Sequence, residues 1–525
     1  MVGVPGRSKG CNTCIQRKIK CDQGPVPCLN CRKSNRLCTG YKRRLGYIFS
    51  HDVVLAGPTD TSEEFSVTHH GRWRKGEPQA PAKISTTRAY RPLQPDPPVS
   101  LGCQISSTST IREQLHYVMV ERHTPGELLK NRPQSSSTNW LLQLQGMAIQ
   151  SSALEDSMTA FLAARVGRIM GDSDLIYKGR GKYIDGLEKL QQALRNPLHR
   201  LADETLAACM ALSYYELIEG SAGSASSDGA YEAHMRGAVM LLKLRGSEAC
   251  GTSPLGHALF LALRVVMLLK SLDLHRGTFL AEPEWLTKPW GRIPKSAVDR
   301  VYDIIGEMPL VFQQIDELDD QADTDKAAQT SRVLAIVTKC LQVDHALRQS
   351  NYTFEESNSG PLYWPELSSL EADAERADGL GKVFPVSFHF STFNVAEVMT
   401  AYWSGMMIVH CKLQHLYARL TALYPSNAKY LVQSREHGEI AREVISNICQ
   451  SAEYLLQEKL GGAGPMTLLA PLRGCRNYLE SMAEGKAARR EIAWLNEFIG
   501  RTTRRFEFPI SRALEKTVIC QETIA

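Results

Sequence analysis

Residues 11–38 read CNTCIQRKIKCDQGPVPCLNCRKSNRLC, and six of the chain's fourteen cysteines fall inside this stretch. Cys11, Cys14 and Cys21 are separated by two and then six residues, and Cys28, Cys31 and Cys38 repeat that spacing. The stretch is therefore a duplicated unit, each copy carrying three thiols. Thiolates bind zinc tetrahedrally, and a Cys-x2-Cys pair lets two sulfurs of one tight turn reach the same ion. Six sulfurs complete two tetrahedral sites when two of the thiolates bridge both metals, so the count predicts a binuclear cluster. A single four-thiolate site with two spare thiols is the competing count, and it leaves the duplication unexplained. A disulfide framework or a redox Cys-x-x-Cys is a further reading; no apolar N-terminal run marks the chain for secretion, where such cross-links persist.

Between two of these thiols, IQRKIK carries Arg17, Lys18 and Lys20. If Cys14 to Cys21 were helical throughout, seven steps of about 100° would bring the two sulfurs within roughly 20° of each other, with Arg17 and Lys20 projecting away. Arg32, Lys33 and Arg36 occupy the equivalent interval of the second copy. A charge run is ordinarily a solvated face; here the cysteine frame fixes the cations relative to a metal.

At all six cysteines the stretch resembles the Zn(II)2Cys6 binuclear cluster of fungal transcription factors. The resemblance implies two Zn2+ ions per chain held by two short helices, with Cys11 and Cys28 bridging. Cys14 and Cys21 then complete one site, and Cys31 and Cys38 the other. It places Arg17 and Lys18 at the end of a short helix entering the DNA major groove, where Lys18 would donate to guanine O6 and N7 of a CGG-like triplet. Arg32, Lys33 and Arg36 look like phosphate contacts, which position the module without reading sequence. Two positions depart from the family pattern: Ile15 stands where a basic residue is usual, and Val26, between Pro25 and Pro27, where a proline is usual.

The net charge of +5 over 525 residues is unevenly spread: residues 1–50 hold eleven Lys or Arg against one Asp, leaving 50 basic and 55 acidic residues in the rest. That is a polyanion-binding head on a mildly acidic body. Lys42, Arg43 and Arg44 extend the positive surface, as a backbone-tracking segment, a nuclear import signal or simply a solvated linker start. The other eight cysteines (Cys103, Cys209, Cys250, Cys340, Cys411, Cys449, Cys475, Cys520) lack metal-ligand spacing and read as reduced, mostly buried thiols. The longest apolar runs, Leu255–Leu269 and Val398–Val409, suit buried helices; neither is expected to span a membrane.

These features divide the chain into a DNA-binding domain with its basic extension (1–50), a flexible linker (51–109) and a large all-helical domain (110–525). From Val53 to Ser107 the composition is rich in Pro, Ser, Thr and Gly, with no sustained heptads for a dimerising coiled coil. Dimerisation would then fall to the large domain, or the protein binds one half-site as a monomer. In the large domain, apolar residues recur at helical steps: Ile184, Leu187, Leu190 and Leu194; Leu206, Cys209, Met210, Tyr214 and Leu217; Met235, Ala238, Val239 and Leu242, closed by Gly246; and Ile440, Val444, Ile448, Ala452 and Leu455. Strict alternation, the strand signal, is almost absent. The segments DETLAACMALSYYE (Asp203–Glu216), HMRGAVMLLKLRG (His234–Gly246), Phe260–Arg264 and CQSAEY (Cys449–Tyr454) resemble the second class of fungal-specific transcription factor domain.

No catalytic set emerges. GSAGSASSDG (Gly220–Gly229) reads as a Ser/Gly loop, GGAGP (Gly461–Pro465) as a helix terminator, and His69 and His70 have no ligand partners nearby. QIDELDDQADTD (Gln314–Asp325) reads as a solvated acidic loop, with an activation patch as its rival. The expectation is a nuclear, non-enzymatic, zinc-dependent regulator of RNA polymerase II transcription whose partners are duplex DNA, co-regulators and a second copy through the helical domain. The rivals are a zinc-stabilised RNA or protein interaction module on a helical scaffold, and a metabolite-sensing helical domain with an accessory zinc head.

Overall fold

The computed structural model describes residues 11, 13–14, 17–22, 28–34, 36, 38, 107–123, 139–219, 227–291, 293–320, 325–369, 382–482 and 486–506. Ile15, the turn at residues 25–27, Lys42, Arg43, Arg44, residues 53–106 of the linker, His69, His70, residues 220–226, Cys103 and Cys520 lie outside them. Contacts divide the chain into two units, Met1–Ile105 and Ser106–Ala525.

In the first unit Thr13 and Cys14 are helical, the chain turns at Arg17–Lys18, and a short helix, α1, spans Leu29–Lys33. Helix α1 opens on Cys28, whose sulfur accepts the N–H of Cys31.

The second unit begins with α2 (Ser107–His123), α3 (Asn139–Leu144), α4 (Ser152–Met170), α5 (Ser173–Arg195), α6 (Asp203–Glu219), α7 (Ser227–Arg245) and α8 (Pro254–Asp273). It continues with α9 (Pro283–Thr287), α10 (Ala297–Ile305), α11 (Met308–Asp320), α12 (Lys326–Glu356), strands β1 (Tyr363–Leu367) and β2 (Val386–Phe390), α13 (Phe393–Leu423), α14 (Ala428–Gln450), α15 (Ala452–Leu455), α16 (Ala463–Met482) and α17 (Lys486–Phe506). The described residues of this unit are mostly helical, as the periodicity predicts. The departure is an antiparallel pair of strands in which Tyr363 faces Phe390 and Leu367 faces Val386. VSFHF does alternate, but over too few residues to stand out, and Pro365 in β1 argues against a strand except at a sheet edge.

The tightest helix pair is α4 with α5. Helix α4 closes at Gly171 (φ 64), where the N–H groups of Gly171 and Asp172 return to the carbonyls of Arg168 and Gly167. The Asp172 side chain at once caps α5 by accepting from the Leu175 N–H. A reversal this short lays the two helices side by side, and glycines let them close. A Cβ on Gly179 would sit 3.3 Å from the Ala160 carbonyl oxygen, and one on Gly186 2.8 Å from Ser157 Oγ. The buried residues of α5 are accordingly Leu175, Gly179, Gly186 and Leu190. This corrects the sequence reading of that helix: of Ile184, Leu187, Leu190 and Leu194, Leu190 alone is buried, while Ile184 is 65% exposed. Backbone contact through glycine leaves the inner face with an apolar signal at Leu175 and Leu190 alone.

The other stripes point inward. Leu206, Cys209, Met210, Tyr214 and Leu217 are buried in α6, and Met235, Ala238 and Leu242 in α7, which ends at Gly246 in the left-handed region (φ 79). Val444, Ile448, Ala452 and Leu455 join a large core with Trp403, Met406 and Leu413 of α13. Helix α8 is long and apolar enough to cross a membrane, yet most of it is buried within the protein. Midway along it, Arg264 reaches Asp299 at 3.1 Å and also pairs with Asp303. The six described cysteines of this unit are buried thiols outside any disulfide.

The acidic run from Gln314 is not a solvated loop up to Asp320. It belongs to α11, with Ile315 and Leu318 buried and Arg419 of α13 holding Asp319 and the Leu318 carbonyl. The two apolar residues, three apart, pull the acids onto a helix; residues 321–324 lie outside the described set. GGAGP does act as punctuation: Gly461 (φ 50) ends a three-residue 3-10 turn, and α16 starts at Ala463.

One buried polar network crosses three helices. His410 (α13) places Nε2 3.0 Å from Asp344 Oδ1 (α12) and Nδ1 2.9 Å from His437 Nδ1 (α14). Arg348 donates Nε to both oxygens of Asp344, and the His437 ring stacks on Tyr417.

Candidate metal centre and nucleic-acid interface

The duplicated sequence produces duplicated hydrogen bonding. Cys14 N–H donates to Cys11 Sγ and Cys31 N–H to Cys28 Sγ, each at 3.4 Å. Ile19 N–H returns to the Cys14 carbonyl at 3.1 Å, and Arg36 N–H, seventeen residues on in the same frame, to the Cys31 carbonyl at 3.0 Å. Each half is thus a tight turn with one sulfur folded back on the backbone.

The thiols of Cys11, Cys14, Cys21 and Cys28 lie within 4.8 Å of one another, as do those of Cys11, Cys28, Cys31 and Cys38. Cys11 and Cys28 belong to both groups. Their sulfurs are 3.7 Å apart, as are those of Cys14 and Cys28, and the Cys11–Cys31 separation is 3.8 Å. A tetrahedron with zinc–sulfur bonds of about 2.3 Å has edges of roughly 3.8 Å, whereas a disulfide needs about 2.05 Å. The donor set fits two zinc ions sharing two sulfurs. The thiols also need a cation. Packed away from water, those of Cys11 and Cys14 are pushed above the usual thiol range, Cys14 to about 12, so a metal's charge is what would stabilise them as thiolates.

A continuous helix from Cys14 to Cys21 is not what brings the sulfurs together. Lys18 adopts a left-handed conformation (φ 54), so no continuous helix passes it, and residues 19–22 run on without regular structure. With the Cys14 to Ile19 bond, this is the terminating pattern in which a residue of positive φ follows the last turn. Cys21 reaches the cluster by returning alongside the first ligand, its sulfur accepting the Cys11 N–H at 3.4 Å.

Arg17, Lys18, Lys20, Arg32, Lys33 and Arg36 are all exposed around this buried sulfur core. Arg17 Nη1 donates to Ser34 Oγ at 3.1 Å, tying the first half to the end of α1. Three supporting residues escaped the sequence reading. Asp22, the one acid among the first fifty residues, accepts from Leu29 N–H (3.1 Å) and Asn30 N–H (3.3 Å) at the start of α1. An acid there favours the helix N-terminus and leaves the cationic surface unopposed. Asn30 Nδ2 donates to the Lys20 carbonyl at 2.6 Å, and Ser34 Oγ to the Asn30 carbonyl at 2.8 Å. The lone acid in a basic segment was the available signal for Asp22.

With this geometry in hand, residues 9–47 match the family model for the fungal Zn(2)-Cys(6) binuclear cluster domain, and residues 147–365 match the fungal specific transcription factor domain. The chain carries a binuclear zinc-cluster domain joined to a fungal specific transcription factor domain. Over 32 residues the chain is 59% identical to the transcriptional regulatory protein moc3 of Schizosaccharomyces pombe, a match spanning 6% of each chain. No solved structure matches the chain. The second domain's match covers α4 to β1 and includes Asp203–Glu216, His234–Gly246 and Phe260–Arg264, whereas Cys449–Tyr454 falls beyond it.

Proposed function

We propose that this chain is a nuclear, sequence-specific DNA-binding regulator of RNA polymerase II transcription. In this reading Cys11 and Cys28 bridge the two zinc ions, Cys14 and Cys21 complete one site, and Cys31 and Cys38 the other. All ligands are thiolates and no position is left for water, so the metal's role is to hold the fold. Lys18 and Arg17 read a CGG-like triplet in the major groove, and Lys20, Arg32, Lys33 and Arg36 neutralise phosphates. Residues 1–50 form the DNA-binding domain and 51–109 the linker. Residues 110–525 regulate, recruit co-regulators and pair two copies.

The observation that carries this reading is the pair of four-sulfur groups sharing Cys11 and Cys28, with exposed cations held on the turns that those sulfurs pin. The left-handed backbone at Lys18 supports it, because an exposed residue held at a costly φ fits a side chain aimed at a target better than one left to solvent. Binding should weaken steeply with salt as counterions leave each neutralised phosphate. The test is a binding-site selection with the zinc-loaded chain and Lys18→Ala. A CGG-like triplet recovered by the first and lost by the second is expected; identical selected sites for both would refute the assignment.

A further inference from the structure

Helix α5 turns large apolar side chains outward among charged and polar ones. Tyr177 is 76% exposed, Ile184 65% and Leu194 38%. At about 100° per residue, Tyr177, Arg180, Glu188, Gln191 and Arg195, all exposed, fall within roughly 40° of the Ile184 direction, and Asp174, Gly181 and Leu194 within roughly 80°, while buried Leu175 and Gly179 point about 140° or more away. We propose that this face joins two copies of the chain, the two α5 helices crossing antiparallel near Ile184.

The charges select both the occupant and the direction. Asp174 lies in the first turn of α5 and Arg195 in the last, both exposed, and among the described residues neither has an ion pair. Ile184 stands ten residues after Asp174 and eleven before Arg195, so the two ends are each about 15 to 17 Å from it. Antiparallel pairing about Ile184 lays Asp174 beside the partner's Arg195 at both ends, whereas parallel pairing sets like charges together. A Cβ on Gly181 would meet nothing within 4 Å, so the centre of the face offers room for a facing chain. One helix per copy makes an interface below about 1,200 Å² in total, the size of a weak association, and two DNA-bound copies would sustain it through their raised effective concentration.

This surface rests on the large domain alone, so its failure would leave DNA reading by the zinc cluster standing. Sedimentation equilibrium of the full zinc-loaded chain without DNA, over about 1 to 100 µM, should show a monomer–dimer equilibrium. Ile184→Asp should weaken it at least about tenfold. Asp174→Arg alone, which replaces two attractions with two repulsions, should weaken it about three- to tenfold, and adding Arg195→Asp should return it to near the native value. Circular dichroism confirms that each variant is folded. A native chain that stays monomeric throughout overturns the proposal, and so does a dimer indifferent to Ile184→Asp or a double reversal that fails to recover.

Discussion

Acidification offers a test of the large domain's packing through His437, which is buried between α13 and α14. His410 Nε2 donates to Asp344, so its Nδ1 accepts, and the hydrogen between the two imidazoles belongs to His437 Nδ1. His437 Nε2 is then buried with no hydrogen-bond partner among the described residues, a place for a lone pair and a poor one for a proton. Burial first, and then repulsion from His410, bring its pKa down from 6.5 to about 4, with Arg348 adding to the repulsion and Asp344 partly offsetting it. Between those values the unfolded chain binds a proton that the native one refuses, so stability is full above about pH 6.5 and falls as pH drops. At about pH 4.5 the loss from this group is about 2 to 3 kcal/mol relative to neutral pH. Asp344 acts in the same direction at lower pH: burial raises its pKa, but hydrogen bonds from His410 and Arg348 outweigh that and hold it below its usual value. His437→Gln keeps a donor for His410 and removes the titration. Urea unfolding of the large domain followed by tryptophan fluorescence should show the native chain losing about 2 to 3 kcal/mol more than this variant between pH 7 and about pH 4.5. Parallel pH profiles for the two would refute the reasoning.

Zinc measured by elemental analysis should read about two ions per native chain; Cys28→Ser, which touches both sulfur groups, should lose more metal than Cys38→Ser, which touches one. Lys18→Gly should raise the stability of the zinc module by up to about 1 kcal/mol by relieving the positive φ, while abolishing triplet selectivity; unfolding and binding-site selection measure the two separately. Gly464→Ala would put a Cβ 1.9 Å from the Leu455 carbonyl oxygen, a clash with backbone that should cost about 3 kcal/mol or more in urea unfolding. Arg264→Met strands the buried Asp299 beside Asp303 and should cost about 3 to 5 kcal/mol near neutral pH, with part of the loss recovered on acidification as a carboxyl protonates.

The zinc module was legible in the cysteine spacing because metal ligation is local: ligand count and separation along the chain restrict the geometry before any long-range contact forms. What spacing did not reveal was the path. The break at Lys18 depends on a backbone conformation with no glycine to announce it, and the Asp22 cap depends on α1 being brought beside Ile19–Asp22. In the large domain, α6 and α7 were readable because they bury branched and aliphatic side chains at helical steps. Helix α5 misled for the opposite reason: Gly179 and Gly186 stand on its inner face between Leu175 and Leu190, so the stripe from Ile184 to Leu194 runs along the helix's flank and touches the buried side at Leu190 alone. The strands were hidden because each is short, and the acids of α11 outweighed Ile315 and Leu318 in composition although those two residues set the helix's orientation.

By itself the sequence determined that six thiols in a doubled unit gather metal at the basic end of the chain, and that most of the remainder is helix, since both follow from spacing within a few turns of backbone. The tertiary structure alone decided which face of α5 is outward, and that Asp344, His410 and His437 meet. Those are contacts between segments far apart in the chain, and they depend on how closely backbones approach, a distance that residue pattern does not encode.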